Sequence, residues 1–151
     1  MPSFFQQGWH NVSDVWYDPP LEHRMQEILR IRSETFALAT RCKDKDRLIK
    51  GPAETDVALY VPQTQALCDL LHAHHGALPT LVHVALLQLS THMGAWRAAA
   101  PKEGWYREVE MHHFPVHIRL QASSHEKCPR CWKYHSESSD TLCKRCATVV
   151  H

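Results

Sequence analysis

The stretch Lys127-Cys128-Pro129-Arg130-Cys131-Trp132 decides how the end of this chain folds, together with a second Cys-x-x-Cys pair that follows after eleven residues. Each pair can turn two thiolates toward one point, and four thiolates form a closed tetrahedral zinc shell with Zn–S bonds of about 2.3 Å. The intervening loop is polar and buries little, so metal binding is the natural source of its folding free energy. The predicted ligands of one structural zinc ion are Cys128, Cys131, Cys143 and Cys146.

Two other interpretations of these cysteines stay open, namely two disulfides or four unrelated thiols. Paired Cys-x-x-Cys motifs at this separation favour zinc. Four protein ligands would leave no open coordination position, which indicates a structural rather than a catalytic ion. The remaining cysteines, Cys42 and Cys68, each stand alone in a predicted helical region. That pattern is typical of buried thiols in a reducing compartment.

Length and composition place the chain among ordinary globular proteins. Its 151 residues suit one domain plus a small appendage. It has no apolar run of membrane-spanning length, and no basic residue precedes Arg24, which is unlike a transit peptide. The net charge of +1 argues against general nucleic-acid binding, but Lys and Arg are concentrated in residues 22–50 and 125–151. Such patches set the field that a phosphate backbone meets, although each is also compatible with a solvated face.

Three parts are predicted along the chain: an aromatic lead-in over 1–17, an α+β domain over 18–122 and a zinc-knuckle module over 123–151. The lead-in carries many aromatic residues with little periodicity, so we expect it to pack on the body or on a partner. Its candidate partner-binding residues are Phe4, Phe5 and Trp9.

Apolar spacing predicts a helix over 18–40 and a second one over 64–76. Alternation of apolar residues predicts a strand over 57–61. The run 81–89 is almost continuously apolar, and we interpret it as a further strand, although periodicity alone does not separate a short buried strand from a helix.

A loop over 93–104 then precedes an antiparallel pair over 105–111 and 116–121. In the second strand of the pair, alternation places Val116, Ile118 and Leu120 inside and His117, Arg119 and Gln121 outside. The predicted fold class is α+β, with a small antiparallel or mixed sheet, two helices to one side and a C-terminal four-Cys zinc knuckle.

Several stretches carry a family resemblance. They are Ser3-Phe4-Phe5 with Trp9, Ile28-Leu29-x-x-Arg32, the segment from Leu48-Ile49-Lys50-Gly51 to Val57-Ala58-Leu59-Tyr60, and Lys127 to Trp132. In this order they resemble the C-terminal region of bacterial-type isoleucyl-tRNA synthetases, from the exit of the anticodon-binding bundle to the Lys-Cys-x-Arg-Cys-Trp knuckle. Only the knuckle is specific by itself, and a related zinc finger occurs in formamidopyrimidine-type DNA glycosylases.

The departures from that family concern catalysis. Its members are several times longer, and their chemistry lies in an N-terminal catalytic domain. The His-x-Gly-His and Lys-Met-Ser-Lys-Ser signatures do not occur here, and the stretch 72–76 is no substitute for them. The family's Gly-Ser-Leu is replaced near Gly51. We therefore expect a non-catalytic protein that resembles the synthetase tail as a separate chain.

The resemblance implies that Arg130 and Trp132 face RNA, because the family's terminal zinc module lies beside the anticodon end of the tRNA. A guanidinium can bind phosphate and an indole can stack on a base, which contributes about 1–3 kcal/mol per base. The candidate RNA-binding residues are Arg130, Trp132, Lys133, Lys144 and Arg145. The alternative is that Trp132 packs over the zinc site and the basic residues are only solvated.

Three functions remain open from the sequence. The first is a structural subunit of a ribonucleoprotein of translation, such as a mitochondrial ribosome, with rRNA or tRNA and proteins as partners. The second is a tRNA-binding appendage or fragment of an isoleucyl-tRNA synthetase, and the third is a protein–protein adaptor. We expect the protein in the mitochondrial matrix or otherwise in the cytoplasm, with no membrane partner and no small-molecule substrate.

The histidines, including His72 and His75, are interpreted as surface residues.

Overall fold

The fold is given by a computed structural model that describes residues 13–46, 49–63, 65–100, 104–111 and 114–150. The helices are α1 (Pro19–Asp46), α2 (Ala66–Ala73), α3 (Leu78–Val82), α4 (Met93–Ala98) and α5 (Lys144–Val150). The strands are β1 (Thr55–Tyr60), β2 (Leu86–Ser90), β3 (Trp105–Met111), β4 (Phe114–Ala122), β5 (Glu126–Lys127) and β6 (Tyr134–Ser136). In these ranges, no helix has both the length and the apolar character that a bilayer span requires.

A mixed four-stranded sheet forms the centre of the body, in the order β2-β1-β4-β3. β1 and β2 are parallel, with Leu59 opposite Leu89, whereas β4 runs antiparallel to both β1 and β3. β5 and β6 form a separate two-stranded sheet near the four cysteines. This architecture confirms the predicted α+β class with a mixed sheet and a C-terminal cysteine knuckle.

One face of the sheet packs against α1, α2 and α3 and forms the core. Alternation along β4 places Val116, Ile118 and Leu120 on that face, with exposures of 0%, 1% and 0%, as predicted. The facing stripe on α1 includes Ile28 and Ile31, both almost fully buried. Burial of these apolar side chains is the main free-energy gain of the fold.

Helix α1 begins where the sequence predicts and ends later. The Oδ1 atom of Asp18 accepts a hydrogen bond of 3.0 Å from the backbone N–H of Leu21, which caps the helix ahead of two prolines. The predicted end near Thr40 is wrong, since the helix continues to Asp46. The reason is that Ala39 and Cys42 remain on the buried stripe, so the packed face of the helix extends beyond the predicted end.

The apolar run over 81–89 is only partly a strand. Its first residues end α3, which begins with Pro79 in its first turn, and its last residues form β2. His83 separates the two elements in a left-handed conformation with φ of 65°. Periodicity could not find this break, because both elements are shorter than the window it needs.

The predicted loop over 93–104 contains a short helix, α4, that changes the burial of the second face of the sheet. Trp96 of α4 is 6% exposed, and its Nε1–H donates a hydrogen bond of 3.2 Å to the carbonyl of Ala58 in β1. His117 and Arg119, predicted to face outward, lie on this second face but are buried beneath α4. The expectation of solvent exposure is therefore wrong for these two residues.

The aromatic lead-in is described only from residue 13 onward. Phe4, Phe5 and Trp9, the predicted partner-binding residues, lie outside the described residues. Ser13 caps a short 3-10 helix over Asp14–Trp16. Trp16 and Tyr17 are 81% and 70% exposed, so these two rings do not pack on the body.

We predict that Leu59→Ala lowers the free energy of unfolding by about 2–5 kcal/mol, because the side chain is completely buried and its removal leaves a cavity. Leu29→Ala is the matched control, since this leucine of α1 is 46% exposed, and its effect should be below about 0.5 kcal/mol. Urea denaturation measures both values. Equal effects of the two substitutions would contradict the core described above.

Candidate metal centre and nucleic-acid interface

The four predicted metal ligands come from two local turns that the chain brings together. Cys128 follows β5, and a hydrogen bond of 2.9 Å from the N–H of Trp132 to the carbonyl of Cys128 closes the first turn. Trp132 adopts φ of 62°, which turns the chain back toward β6. Cys143 lies just before α5 and Cys146 lies within it, so that both thiols of the second pair face the first.

The geometry of the sulfur atoms fits one metal ion. All four Sγ atoms lie within 4.8 Å of one another, and those of Cys131 and Cys143 are 3.7 Å apart. A disulfide needs about 2.05 Å, so none of the six cysteines is bonded to another. Four sulfurs at about 2.3 Å from one ion in a tetrahedron would be separated by about 3.8 Å. The cluster is therefore a candidate metal site with a closed set of four thiol ligands.

Hydrogen bonding prepares one of these thiols for coordination. Backbone N–H groups, that of Cys131 first and that of Cys143 next, lower the pKa of Cys128 to about 6. The N–H of Cys143 lies 3.4 Å from the Cys128 Sγ atom. Burial first, and then hydrogen bonds with the neighbouring thiols and the charge of Cys128, raise the pKa of Cys146 to about 12. A bound metal ion would supply the missing positive charge and keep all four thiols deprotonated.

A hydrogen bond attaches the knuckle to the body of the protein. The hydroxyl of Tyr134 in β6 donates to Glu54 Oε1 over 2.8 Å, while Glu54 Oε2 accepts from the N–H of Lys50 over 3.0 Å. Burial and this hydrogen bond raise the pKa of Tyr134 to about 12. Sequence analysis did not identify this contact, because its two residues are separated by 80 positions and no local pattern links them.

Trp132 is the most exposed aromatic side chain of the knuckle, with 70% of its surface accessible. Its Nε1–H donates to the carbonyl of Pro129 over 3.2 Å, and the Lys127 Nζ atom lies 5.4 Å from the ring centroid. The indole therefore stays attached to the knuckle turn while a ring face remains open. It does not cover the sulfur cluster as a buried lid, which was the alternative interpretation.

An open cleft of about 400 Å³ separates this part of the knuckle from the body. Its lining includes, from the body, Pro79, Thr80, His83 and Val84 and, from the knuckle, Lys127, Trp132, Lys133 and Tyr134. Two lysines and an exposed indole at one cleft can bind a phosphate and a stacked base together.

The predicted RNA-binding residues divide between two surfaces. Lys133 lies with Trp132 at the cleft, whereas Lys144 and Arg145 line a neighbouring groove of about 590 Å³ with His125, and His135 borders both. Arg130 has a structural contact, because its guanidinium donates over 3.2 Å to the carbonyl of Cys146 at the cluster. The histidines His72 and His75, in the described part of the chain, join no group of potential metal ligands.

Comparison with known proteins identifies relatives along nearly the whole chain. The chain is 51% identical over 152 residues to an isoleucine–tRNA ligase of Sulfurovum sp. (strain NBC37-1), which covers 99% of this chain and 15% of that protein. It is 31% identical over 144 residues to the isoleucine–tRNA ligase of Desulforamulus reducens, and the match covers 92% of this chain and 14% of that protein. A mitochondrial isoleucine–tRNA ligase of Mus musculus is 26% identical over 164 residues, and the match covers 98% of this chain and 15% of that protein. No family model matches the chain.

These findings confirm the resemblance that the motifs indicated. The chain spans about 15% of the length of the relatives it matches, which is consistent with similarity to one terminal segment of them.

We predict that Tyr134→Phe lowers the free energy of unfolding by about 0.5–1.5 kcal/mol, because Glu54 loses one hydrogen-bond donor. Since the folded pKa of Tyr134 lies near 12 instead of 10.0, its contribution is full below pH 10 and is lost as the pH rises toward 12. Urea denaturation at pH 8 and at pH 11 measures both effects. Tyr17→Phe, at a 70% exposed tyrosine, is the control and should leave the free energy of unfolding unchanged. If Tyr134→Phe lowered the free energy of unfolding no more than Tyr17→Phe does, the contact would be refuted.

Proposed function

We propose that this chain, which is homologous to one segment of the isoleucyl-tRNA synthetases, is a non-catalytic RNA-binding protein whose C-terminal knuckle is held in shape by zinc. The observation that carries the proposal is the exposed indole of Trp132, fixed beside four gathered thiols and two lysines at an open cleft. The relatives are named as ligases of isoleucine and tRNA, so RNA is the ligand class to which the kinship points.

Zinc is the metal that best suits the donor set. Four cysteine thiolates in tetrahedral coordination are the ligands of structural zinc sites, and they leave no coordination position for a substrate. The residues that would hold the ion are Cys128, Cys131, Cys143 and Cys146. When bound, the ion supplies folding free energy and fixes the turn that carries Trp132, and it takes no part in a reaction.

RNA contact is proposed at the cleft and continues over the basic surface of the knuckle. A base stacks on the open face of Trp132, while Lys127 and Lys133 bind the adjacent phosphates. Lys144 and Arg145 extend the positive charge to the second groove. Arg130 serves mainly to hold α5 on the knuckle through its bond to Cys146, and contributes charge to the same surface.

The host proposed for this module is a large ribonucleoprotein of the translation apparatus, such as a mitochondrial ribosome. A mitochondrial isoleucine–tRNA ligase among the relatives supports the compartment, and the concentration of basic residues on the knuckle supports the RNA partner. A second candidate is binding of tRNA in association with a synthetase, which the kinship itself favours. An adaptor role would use the exposed Val15, Trp16 and Tyr17 instead of the knuckle.

We expect elemental analysis of the purified protein to give one zinc ion per chain, and Cys128→Ser to lose it because three thiols no longer complete the shell. Cys68→Ala is the matched control, since Cys68 is buried in the core away from the cluster and should leave the zinc content unchanged. A protein that is folded and free of metal, with the four thiols reactive toward a thiol reagent, would refute the zinc assignment.

Trp132→Ala should weaken RNA binding by about 5- to 150-fold, the equivalent of one lost stacking contact of about 1–3 kcal/mol. Trp132→Phe should retain most of the affinity, and Trp16→Ala, at another highly exposed tryptophan, should retain all of it. Fluorescence anisotropy with a labelled isoleucine-tRNA anticodon stem–loop and with an unrelated stem–loop measures these affinities, and the zinc content of each variant verifies its fold.

The two RNA-binding hypotheses predict different results in this measurement. Preference for the isoleucine stem–loop supports association with a synthetase, whereas similar affinity for both RNAs supports a ribonucleoprotein subunit. Absence of binding to either RNA, with zinc in place, would reject both and leave the adaptor role.

A further inference from the structure

The cleft beside Trp132 is lined by two residues that share an unusual backbone conformation. Trp132 of the knuckle has φ of 62°, and His83 of the body, at the end of α3, has φ of 65°. Among the described residues, these are the two non-glycine positions with a positive φ, and both line the same cleft of about 400 Å³. A left-handed conformation is unfavourable for a residue with a Cβ atom, and such conformations concentrate at binding sites, where the surrounding structure maintains them.

His83 places an aromatic ring at a helix end that ordinarily has none. Its backbone N–H donates to the carbonyl of Pro79 and so ends α3. Glycine is the usual residue at a left-handed helix end, because it has no Cβ atom. The imidazole gives this helix end no conformational advantage and is exposed. A role for the ring is therefore expected at the cleft that it lines.

The His83 ring is supported from outside the cleft. Phe36 of α1 does not line the cleft, and the centroid of its ring lies 6.1 Å from that of His83, with an angle of 32° between the two planes. On Phe36 in turn, the guanidinium carbon of Arg32 lies 5.3 Å from the ring centroid. These contacts restrict the imidazole without burying it, so part of its surface remains available to a ligand.

Both rings are thus held in place before any ligand binds. Trp132 is attached to the knuckle turn by its hydrogen bond to Pro129, and His83 is attached to the body by Phe36. Ala53, Val84 and Ala85 complete the lining with small or apolar side chains. Binding between two restrained rings costs little conformational entropy, which favours a flat aromatic ligand.

We propose that the cleft holds one unpaired base of the bound RNA between Trp132 and His83, so that single-stranded RNA is selected over a duplex. This inference rests on the proposed binding of RNA at the cleft, and it adds a contact from the body of the protein. A base offers its faces to protein rings only when it is splayed out of its own stack. A base inside a duplex meets neither ring.

The other groups of the cleft suit a nucleotide. Lys127 and Lys133 are exposed and line the cleft, whereas none of the described residues that line it is Asp or Glu. Cys131 brings the thiol cluster to the same lining. The base itself is uncharged, so its stacking does not depend on the charge of that cluster, and the flanking phosphates can bind the two lysines.

The nucleotide has to belong to a longer RNA. One stacked base contributes about 5- to 150-fold in affinity, whereas even a millimolar complex requires about a thousandfold relative to a 1 M standard state. Further affinity can come from the neighbouring groove, where Lys144 and Arg145 can bind additional phosphates and which shares His135 with the cleft. A free mononucleotide lacks those contacts.

The test uses the full chain and fluorescence anisotropy with two labelled RNAs, the isoleucine-tRNA anticodon stem–loop and a blunt-ended duplex with the same number of nucleotides. The stem–loop should bind at least about tenfold more tightly, because only its loop offers unpaired bases. His83→Gly should weaken binding of the stem–loop at least about fivefold and leave the duplex unchanged. Glycine accepts the left-handed conformation, so this variant keeps the fold. His72→Ala removes an exposed histidine that does not line the cleft, and it should change neither affinity.

A double-mutant cycle shows whether the two rings hold the same base. In the Trp132→Ala protein, His83→Gly should have a smaller effect than in the original protein, because the base has already lost the opposite ring. Adenosine monophosphate at about 1 mM should not displace the stem–loop, because it is held by one base alone.

Four outcomes would overturn this inference and leave the proposed function standing. They are a loss of affinity in Trp132→Ala without a loss in His83→Gly, a double variant whose loss is the product of the two single losses, equal affinity for the stem–loop and the duplex, and displacement of the stem–loop by adenosine monophosphate. Absence of binding of either RNA to the original protein would overturn the proposed function and this inference together.

Discussion

Four sulfur atoms within 4.8 Å of one another impose the constraint on which the C-terminal knuckle depends. Thiolates at this separation repel one another, so the arrangement is favourable only when a cation lies between them or when most of the thiols keep their protons. Backbone N–H groups lower the pKa of Cys128, whereas burial raises the pKa of Cys146, so the thiols do not lose their protons equally readily. Everything that the knuckle presents outward, Trp132 first of all, is oriented by the turns that bring those sulfurs together.

The orientation of the knuckle relative to the body depends on two acidic residues at the start of β1. Glu54 accepts a hydrogen bond from Tyr134, and Asp56 accepts three from the chain that enters the knuckle. The cleft beside Trp132 exists because these bonds hold the knuckle against α3 and the chain that follows it. A site between two small folded units thereby gains a fixed shape, which a freely tethered knuckle would lack.

The body has two faces of different character. On one, apolar residues of the sheet and the long α1 form the core, and on the other, α4 covers His117 and Arg119 with a single tryptophan. The proposed RNA surface lies on the knuckle, apart from the face of the sheet that α4 covers.

The sequence by itself determined the features whose signal is local: the paired cysteines and their spacing, the cap of α1 at Asp18, and the alternation along β4. It also carried the family resemblance, since the knuckle motif and the order of the weaker motifs are readable without coordinates. Only the tertiary structure decided the extension of α1 to Asp46, the division of 81–89 at His83, and the burial of Arg119 beneath Trp96. Local patterns specify which residues prefer burial, whereas contacts between distant residues, such as Tyr134 with Glu54 or Trp96 with Ala58, form only when the whole chain folds and therefore leave no periodic trace in the sequence.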